Sequence, residues 1–201
     1  MRNLIASLLA FLTLVAASEA GPGEIAVRQG SDGADSVTTA TAHYAIPDVR
    51  LVRADGRDVS LREELNDGRP VVMSFIFTTC TTICPLSSSN FQKLQSKLGA
   101  DRKRVHMVSI SIDPEEDTPE KLSVYAKSYN AGPGWSFYTG PVQSIIATQQ
   151  AFGVYRGDKM NHPPVTLMRA APGKPWIRVD GFATPDQLLR QVRSMVADAN
   201  Q

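Results

Sequence analysis

Residues 71–95, VVMSFIFTTCTTICPLSSSNFQKLQ, decide the fold of this chain. The segment opens with an apolar run, residues 71–77, whose β-branched and aromatic side chains predict a fully buried central strand. From Leu86 onward the apolar residues recur with helical spacing, which predicts a helix. Cys80 and Cys84 lie between the two elements, where unpaired N–H groups and the helix dipole favour a thiolate over a thiol.

Cys80 and Cys84 are the only cysteines among the 201 residues, and three uses of the pair are open. A structural disulfide would close a very short loop, which restrains the unfolded chain by only about 2 kcal/mol. A redox pair is the second use, although thiol-disulfide oxidoreductases usually separate their cysteines by two residues and this chain has three. The third use is a soft-metal site, because both thiols can point the same way across one helical turn.

The N-terminal segments of the chain indicate an exported protein with one folded domain. Residues 1–20 combine an early arginine, an apolar stretch and small residues at the end, which predicts a secretory signal peptide. Residues 21–42 lack apolar periodicity and are predicted to be a flexible leader, so the folded domain is expected over residues 43–201. We therefore expect a periplasmic protein, either soluble or weakly held at the membrane by an uncleaved signal anchor. The formal net charge of +1, with charges of mixed sign, gives no indication of a nucleic-acid partner.

Strand and helix patterns alternate along the domain. Before the central strand, the sequence predicts a hairpin over 48–61 and a short helix over 61–65. After the helix that follows the cysteines, it predicts a strand over 104–112, a helix capped by Thr118, a strand over 135–138 and a helix over 142–152. An exposed loop over 156–164, a hairpin over 165–180 and a last helix from Thr184 complete the domain. This order predicts an α/β fold with a central mixed β-sheet flanked by helices and with an N-terminal β-hairpin. A cysteine pair at the end of the first central strand indicates the thioredoxin-like version of that fold.

Three histidines are available as a further ligand. His43 adjoins the leader and is expected to be solvated, while His106 lies in a buried strand and is predicted to be a hydrogen-bonded core residue. His162 lies in the exposed loop before a core strand, where it either reaches the cysteines or is an ordinary surface histidine. Two thiolates and one imidazole form a soft donor set that suits Cu(I), or Cu(II) with a further oxygen ligand, better than structural zinc. Met160 is a further soft donor in the same loop.

Three motifs follow one another in a distinctive order: TTCTTICP at residues 78–85, SIDPEEDTPE at residues 111–120, and the late histidine. With these motifs the chain resembles the Sco/SenC family of copper-binding assembly proteins for cytochrome c oxidase. The resemblance implies that Cys80, Cys84 and His162 bind one copper. It further implies that the protein delivers this copper to the dicopper site of an oxidase subunit, or reduces the cysteines of that site.

Two features depart from the family pattern. Family members commonly have Asp before the histidine and Ser after it, whereas this chain has Asn161 and Pro163. The missing carboxylate is a group that orients an imidazole, so its loss bears on copper affinity more than on ligand identity. Many members also carry a transmembrane anchor, for which the N-terminal apolar run is short. Asp113 and Asp117 follow the second central strand and are expected either to support the metal ligands or contact a partner protein, or to have turn and helix-capping roles.

Two functions follow from these residues. The first is a copper metallochaperone whose partner is a copper-receiving oxidase subunit or another periplasmic copper protein; a redox or copper sensor would use the same ligands. The second is a thiol-disulfide oxidoreductase in which Cys80 attacks and Cys84 resolves, with another thiol-disulfide oxidoreductase as a partner and with His162 dispensable. A peroxidase-like use of the fold is disfavoured, because no arginine adjoins the cysteines in sequence to activate a peroxide.

Overall fold

The computed structural model describes residues 27–28 and 37–198. Within these ranges the chain forms nine strands and five α-helices. The strands are β1 (Val27–Arg28), β2 (Thr38–Ala42), β3 (Arg50–Arg53), β4 (Asp58–Ser60), β5 (Val71–Ile76), β6 (His106–Ser111), β7 (Trp135–Thr139), β8 (Val165–Arg169) and β9 (Trp176–Asp180). The helices are α1 (Leu61–Leu65), α2 (Ile83–Leu98), α3 (Pro119–Ser128), α4 (Val142–Ala151) and α5 (Pro185–Asp198), with short 3-10 helices at Gly99–Arg104 and Lys159–Asn161.

The nine strands form one mixed sheet in the order β1-β2-β9-β8-β5-β6-β7-β3-β4. Strands β5, β6 and β7 run parallel to one another, and β8 pairs antiparallel with the other side of β5. Every residue of β5 and of β6 is buried, because both faces of these central strands are covered. This is the predicted thioredoxin-like α/β architecture, and the predicted hairpin, β3 with β4, lies at one edge of the sheet.

Helices cover the sheet, and the sequence marks where two of them begin. The cysteine-bearing helix α2 packs against α5, and α3 packs against β7. The Thr118 side chain accepts a hydrogen bond from the backbone N–H of Lys121 at the start of α3. Thr184 and Gln187 form the predicted capping box at the start of α5. Among the described helices, none is long and apolar enough to cross a membrane.

The folded domain extends further toward the N-terminus than the sequence predicted. Residues Thr38–Ala42, which were assigned to the flexible leader, form β2 and pair with the whole of β9. The alternation of threonine with small alanine gave no apolar signal, yet Ala40 and Ala42 are buried. The strand covers an edge of β9 that would otherwise present unpaired N–H and C=O groups. The predicted signal peptide and most of the predicted leader lie outside the described residues.

Helix α2 begins at Ile83, which is earlier than the start at Leu86 that the sequence predicted. Pro85 does not delay the helix, because proline is compatible with the first turn, where its missing N–H would have no intrahelical partner. Leu86 is 46% exposed and therefore does not belong to the buried stripe of the helix. As a result, Cys84 lies inside the first turn of α2 and Cys80 lies just before it.

Candidate metal centre

The two cysteines lie at the carboxyl end of β5, with Cys80 in the connection to α2 and Cys84 in the first turn of the helix. The backbone N–H of Cys84 donates a hydrogen bond to the sulfur of Cys80 over 3.4 Å. Both are free thiols, and only 8% of Cys80 and 1% of Cys84 are exposed. The predicted junction of strand and helix therefore brings the sulfurs together and directs a helix N–H at one of them.

The pKa values of the two thiols are shifted in opposite directions. Burial alone would raise the pKa of Cys80, but hydrogen bonds from Cys84 and Thr82 outweigh it and hold this pKa below its ordinary value. Burial raises the pKa of Cys84, and the hydrogen bond with Cys80 raises it further. Cys80 is therefore the thiol that ionises first, and Cys84 stays protonated until a metal ion or a new sulfur bond replaces its proton.

Asp117 holds the start of the cysteine loop. Its carboxylate accepts hydrogen bonds from the backbone N–H and the hydroxyl of Thr78, at 3.1 Å for the shorter backbone contact, and from the Ser111 hydroxyl at 2.6 Å. Asp113 has a turn role, because its carbonyl accepts hydrogen bonds from two N–H groups of the following turn. Asp113 therefore has the predicted turn role, whereas Asp117 connects the ends of two strands and does not cap α3, whose N-cap is Thr118. Asp113 makes one further contact, with Lys159.

His162 is buried, although the sequence placed it in an exposed loop. It is 6% exposed and directly follows the short helix Lys159–Asn161. Its Nε2 lies 3.2 Å from the carbonyl oxygen of Phe75 in β5, and its Nδ1 has no hydrogen-bond partner among the described residues. Because a carbonyl only accepts, Nε2 carries the proton and Nδ1 carries a free lone pair. Burial lowers the pKa of His162 despite the Phe75 contact, which keeps the ring neutral.

The orientation of His162 has the features of a metal ligand. A histidine that binds a metal through one nitrogen usually donates its other N–H to a carbonyl or carboxylate, as His162 does to Phe75. A buried nitrogen with a free lone pair is also costly unless something binds it. Two adjacent free thiols and this nitrogen form a donor set whose chemistry fits a soft metal ion.

The three predicted ligands are not preassembled. Phe75 precedes Cys80 on the strand that leads into the cysteine loop, so His162 lies beside that strand. Nevertheless, in the ranges that the structure describes no three His, Cys, Asp or Glu side chains are grouped closely enough to hold a metal ion. The structure thus brings the two sulfurs together and places His162 against the strand that leads to them, so a site made of all three residues would require a shift of one of the two loops.

The other candidate residues lie elsewhere. His106 is a buried core residue, as predicted, whose ring contacts Glu64, Asp67, Ser136 and Tyr138. It begins β6 and is level with the first residue of β5, at the opposite end of the strands from the cysteines. His43 is exposed, as predicted, and Met160 is 68% exposed in the loop before His162.

The sequence analysis missed Lys159. The ammonium group of Lys159 lies 2.5 Å from a carboxylate oxygen of the buried Asp113. It also lies over the ring of Phe77, 5.6 Å from the centroid. The sequence does place a lysine three residues before the candidate histidine. It gives no indication, however, of which acidic side chain this lysine pairs with.

The fold and the dithiol at its strand-helix junction define a thioredoxin-like protein with a free cysteine pair. A family model described as SCO1/SenC matches residues 38–197 of this chain. The protein belongs to the SCO1/SenC family. The matched range begins at β2, which agrees with the N-terminal extension of the domain seen in the structure.

Individual relatives agree with this assignment. The chain is 38% identical over 105 residues to the SCO1 protein homolog of Bacillus subtilis (strain 168), which covers 52% of this chain and 53% of that protein. The chain thus spans about half the length of the curated relatives that it matches. Its fold matches that of BsSco, which is described as a member of the Sco family of cytochrome c oxidase assembly proteins with a disulfide switch. The TM-score is 0.64, and the two chains are 29% identical over 76% of this chain and 93% of BsSco. It also matches the Arabidopsis thaliana ScoI with copper bound, with a TM-score of 0.60 and 25% identity over 77% and 99% of the two chains.

Proposed function

We propose that this protein binds one copper ion through the sulfurs of Cys80 and Cys84 and the imidazole of His162, and that it is a copper metallochaperone. The observation that carries the proposal is the free Nδ1 of the buried His162, with the opposite nitrogen held by the Phe75 carbonyl. A ligand role explains an unpaired buried nitrogen oriented in this way beside the strand that leads to the two cysteines.

The donor set favours copper over the other metals that cysteine binds. Two thiolates and a neutral imidazole match the low coordination number and soft character of Cu(I), whereas a structural zinc site takes four protein ligands. Cu(II) is accommodated by the same three ligands with an added water or other oxygen. The copper-bound state of the related Arabidopsis ScoI supports this choice.

Copper is the cargo of this protein in our proposal, and the receiver is the dicopper site of a cytochrome c oxidase subunit or another exported copper protein. The description of BsSco as a member of a family of oxidase assembly proteins supports this receiver. The N-terminal apolar segment, residues 1–20, supports export to the periplasm. The burial of both thiols suits a carrier, because it keeps the copper from adventitious ligands until a partner contacts the cysteine loop.

A thiol-disulfide reductase is a second candidate. It is favoured by the lowered pKa of Cys80 and the raised pKa of Cys84. The Cys80 thiolate would attack one sulfur of a target disulfide, forming a mixed disulfide and releasing the other target sulfur as a thiolate. Cys84 would then lose its proton and attack the Cys80 sulfur, which releases the second target thiolate. This chain would end oxidised to a Cys80–Cys84 disulfide, and the target would gain the two electrons.

An anaerobic copper titration of the reduced protein, followed by visible absorption and metal analysis, tests the proposal. We expect one copper per chain with sulfur-to-copper charge-transfer bands, and we expect His162→Ala to shift these bands and weaken binding. His43→Ala is the matched control, because it removes an exposed imidazole and should leave both unchanged. Copper binding no stronger than that of a Cys80→Ser, Cys84→Ser double variant contradicts the proposal. Retained disulfide reduction in a His162→Ala variant that has lost its copper favours the reductase.

A further inference from the structure

We infer that Lys159 is a positioning residue that latches the His162 loop away from the two sulfurs, so that thiolates capture copper first and the imidazole joins after the latch opens. The latch consists of the ion pair of Lys159 with Asp113 and the contact of Lys159 with the Phe77 ring. This inference rests on the proposed function, because it concerns the order in which the same three ligands assemble.

Two neighbouring strands contribute to the latch. Asp113 follows β6 and Phe77 follows β5, so Lys159 ties the His162 loop to the carboxyl ends of both central parallel strands. The Asp113 carboxylate is buried and pairs with Lys159 at 2.5 Å, whereas the lysine side chain remains partly exposed. Because Lys159 is partly exposed and Asp113 borders an open cleft, water screens this ion pair, so the latch restrains the loop but can open.

The position of Lys159 determines that of His162 through one short element. The 3-10 helix Lys159–Asn161 begins with Asp158, whose side chain accepts the N–H of Met160 at 2.9 Å. The helix ends at His162, whose own N–H donates to the Lys159 carbonyl at 3.2 Å. Because this turn is hydrogen-bonded at both ends, it moves as a unit, and holding Lys159 in place restrains the backbone that carries the imidazole.

The ligand set requires that this unit can move. No preassembled group of three donors exists among the described residues, and His162 is held against the Phe75 carbonyl. A cleft of about 450 Å³ borders the loop, and both Lys159 and His162 line it together with apolar side chains such as Ile145 and Val154. This open volume allows the turn to shift without unfolding the strands on either side.

Copper-binding kinetics test the latch. After rapid mixing of reduced protein with copper, we expect a fast phase that depends on copper concentration, followed by a slower phase that does not and that is absent in His162→Ala. Lys159→Met removes the charge and keeps the aliphatic stem, so it should accelerate the slow phase about threefold to fivefold. Lys159→Arg should restore a rate within about twofold of the parent, because it restores the charge. The matched control is Lys97→Met, since Lys97 near the end of α2 pairs with the exposed Asp186 of α5 at 2.9 Å.

A copper-free measurement keeps the latch separate from the proposed function. Hydrogen-deuterium exchange at the imidazole C2 position, read by mass spectrometry, reports the access of solvent to each histidine. We expect Lys159→Met to speed exchange at His162 and to leave exchange at the buried His106 and the exposed His43 unchanged. Unchanged exchange at His162 overturns the latch, even if His162→Ala still alters the copper bands and the proposed function stands. Faster exchange at His162 without any effect of His162→Ala on copper overturns the proposed function and, with it, the role of the latch in copper capture.

Discussion

The carboxylate of Asp117 accepts hydrogen bonds from both the backbone N–H and the hydroxyl of Thr78, and it is completely buried. Thr78 lies where β5 gives way to the cysteine loop, and Asp117 lies in the turn that precedes α3. The Ser111 hydroxyl at the end of β6 donates to the same carboxylate. One acid thus joins two strand ends and a turn, and it fixes the direction in which the loop carries Cys80.

We predict that Asp117→Asn destabilises the protein by about 1–3 kcal/mol, because an amide nitrogen would replace one of the acceptor oxygens among donors that remain buried. Urea unfolding at neutral pH measures this loss. Asp101→Asn is the control, because it removes a carboxylate from an exposed ion pair with Arg104 and should change stability by less than about 0.5 kcal/mol. If the two variants are equally stable, the contacts of Asp117 with Thr78 do not contribute measurably to the free energy of unfolding.

Copper affinity should rise with pH. Burial raises the pKa of Cys84, so this thiol is protonated at neutral pH and must release its proton when copper binds. His162 releases none, because burial lowers its pKa and the ring is already neutral. We predict a gain in affinity of at least about tenfold per pH unit between pH 7 and 8, and at least one proton released per copper in weakly buffered solution, because Cys84 releases one proton and any protonated Cys80 adds to it. Competition against a chelator of known pH dependence measures the gain, and a flat profile contradicts the assignment of Cys84 as a ligand.

The central part of the fold was predictable from local patterns. The buried run that became β5, the threonine cap of α3 and the capping box of α5 each depend on residues that are close in sequence. Strand β2 was missed because its burial depends on β9, which lies more than a hundred residues later in the chain and meets small alanines rather than large apolar groups. A pairing over that sequence separation leaves no periodic apolar signal in β2.

The candidate site was predictable as a set of residues but not as an arrangement. The spacing of Cys80 and Cys84 and their place after a buried strand indicated the adjacent sulfurs. The burial of His162, its hold on the Phe75 carbonyl and the pairing of Lys159 with Asp113 were not visible in sequence. Each of these contacts joins a loop to a strand end at long range, and charge or loop composition alone does not select the partner.

His106 should make stability fall as the pH is lowered. Burial lowers its pKa in the folded protein and nearby Arg69 lowers it further, although Asp67 and Glu64 oppose the shift. The unfolded chain, in which a histidine titrates near pH 6.5, therefore binds more protons than the folded one below about pH 7. Stability is then fully present above the unfolded pKa and decreases as the pH falls from 7 toward the folded pKa. His162 shifts in the same direction and adds to this loss.

Urea midpoints measured between pH 7.5 and 5.5 test this pH dependence. His106→Gln should lower the midpoint at every pH, because it loses buried contacts, and should flatten its dependence on pH. His43→Gln removes an exposed histidine and should leave the dependence unchanged. A pH dependence that is identical in His106→Gln and in the parent would assign the effect to other groups.

Strand β2 should be required for the full stability of the domain. A chain that begins at residue 37 keeps the pairing of Thr38–Ala42 with β9, whereas a chain that begins at residue 43 loses it and uncovers the backbone of β9. We predict that the shorter chain is less stable by about 2 kcal/mol or more in urea unfolding, because several strand hydrogen bonds and the burial of Ala40 and Ala42 are lost together. It should also self-associate in sedimentation, since an uncovered strand edge pairs readily with another chain.

The control for this truncation is Thr41→Ala in the longer chain, which alters an exposed side chain and leaves every backbone hydrogen bond in place. Its stability should stay within about 0.5 kcal/mol of the parent. If the chain from residue 43 instead unfolds at the same urea concentration as the longer one and remains monomeric, β2 contributes nothing measurable. The boundary expected from the sequence would then describe the stable domain better than the strand pairing does.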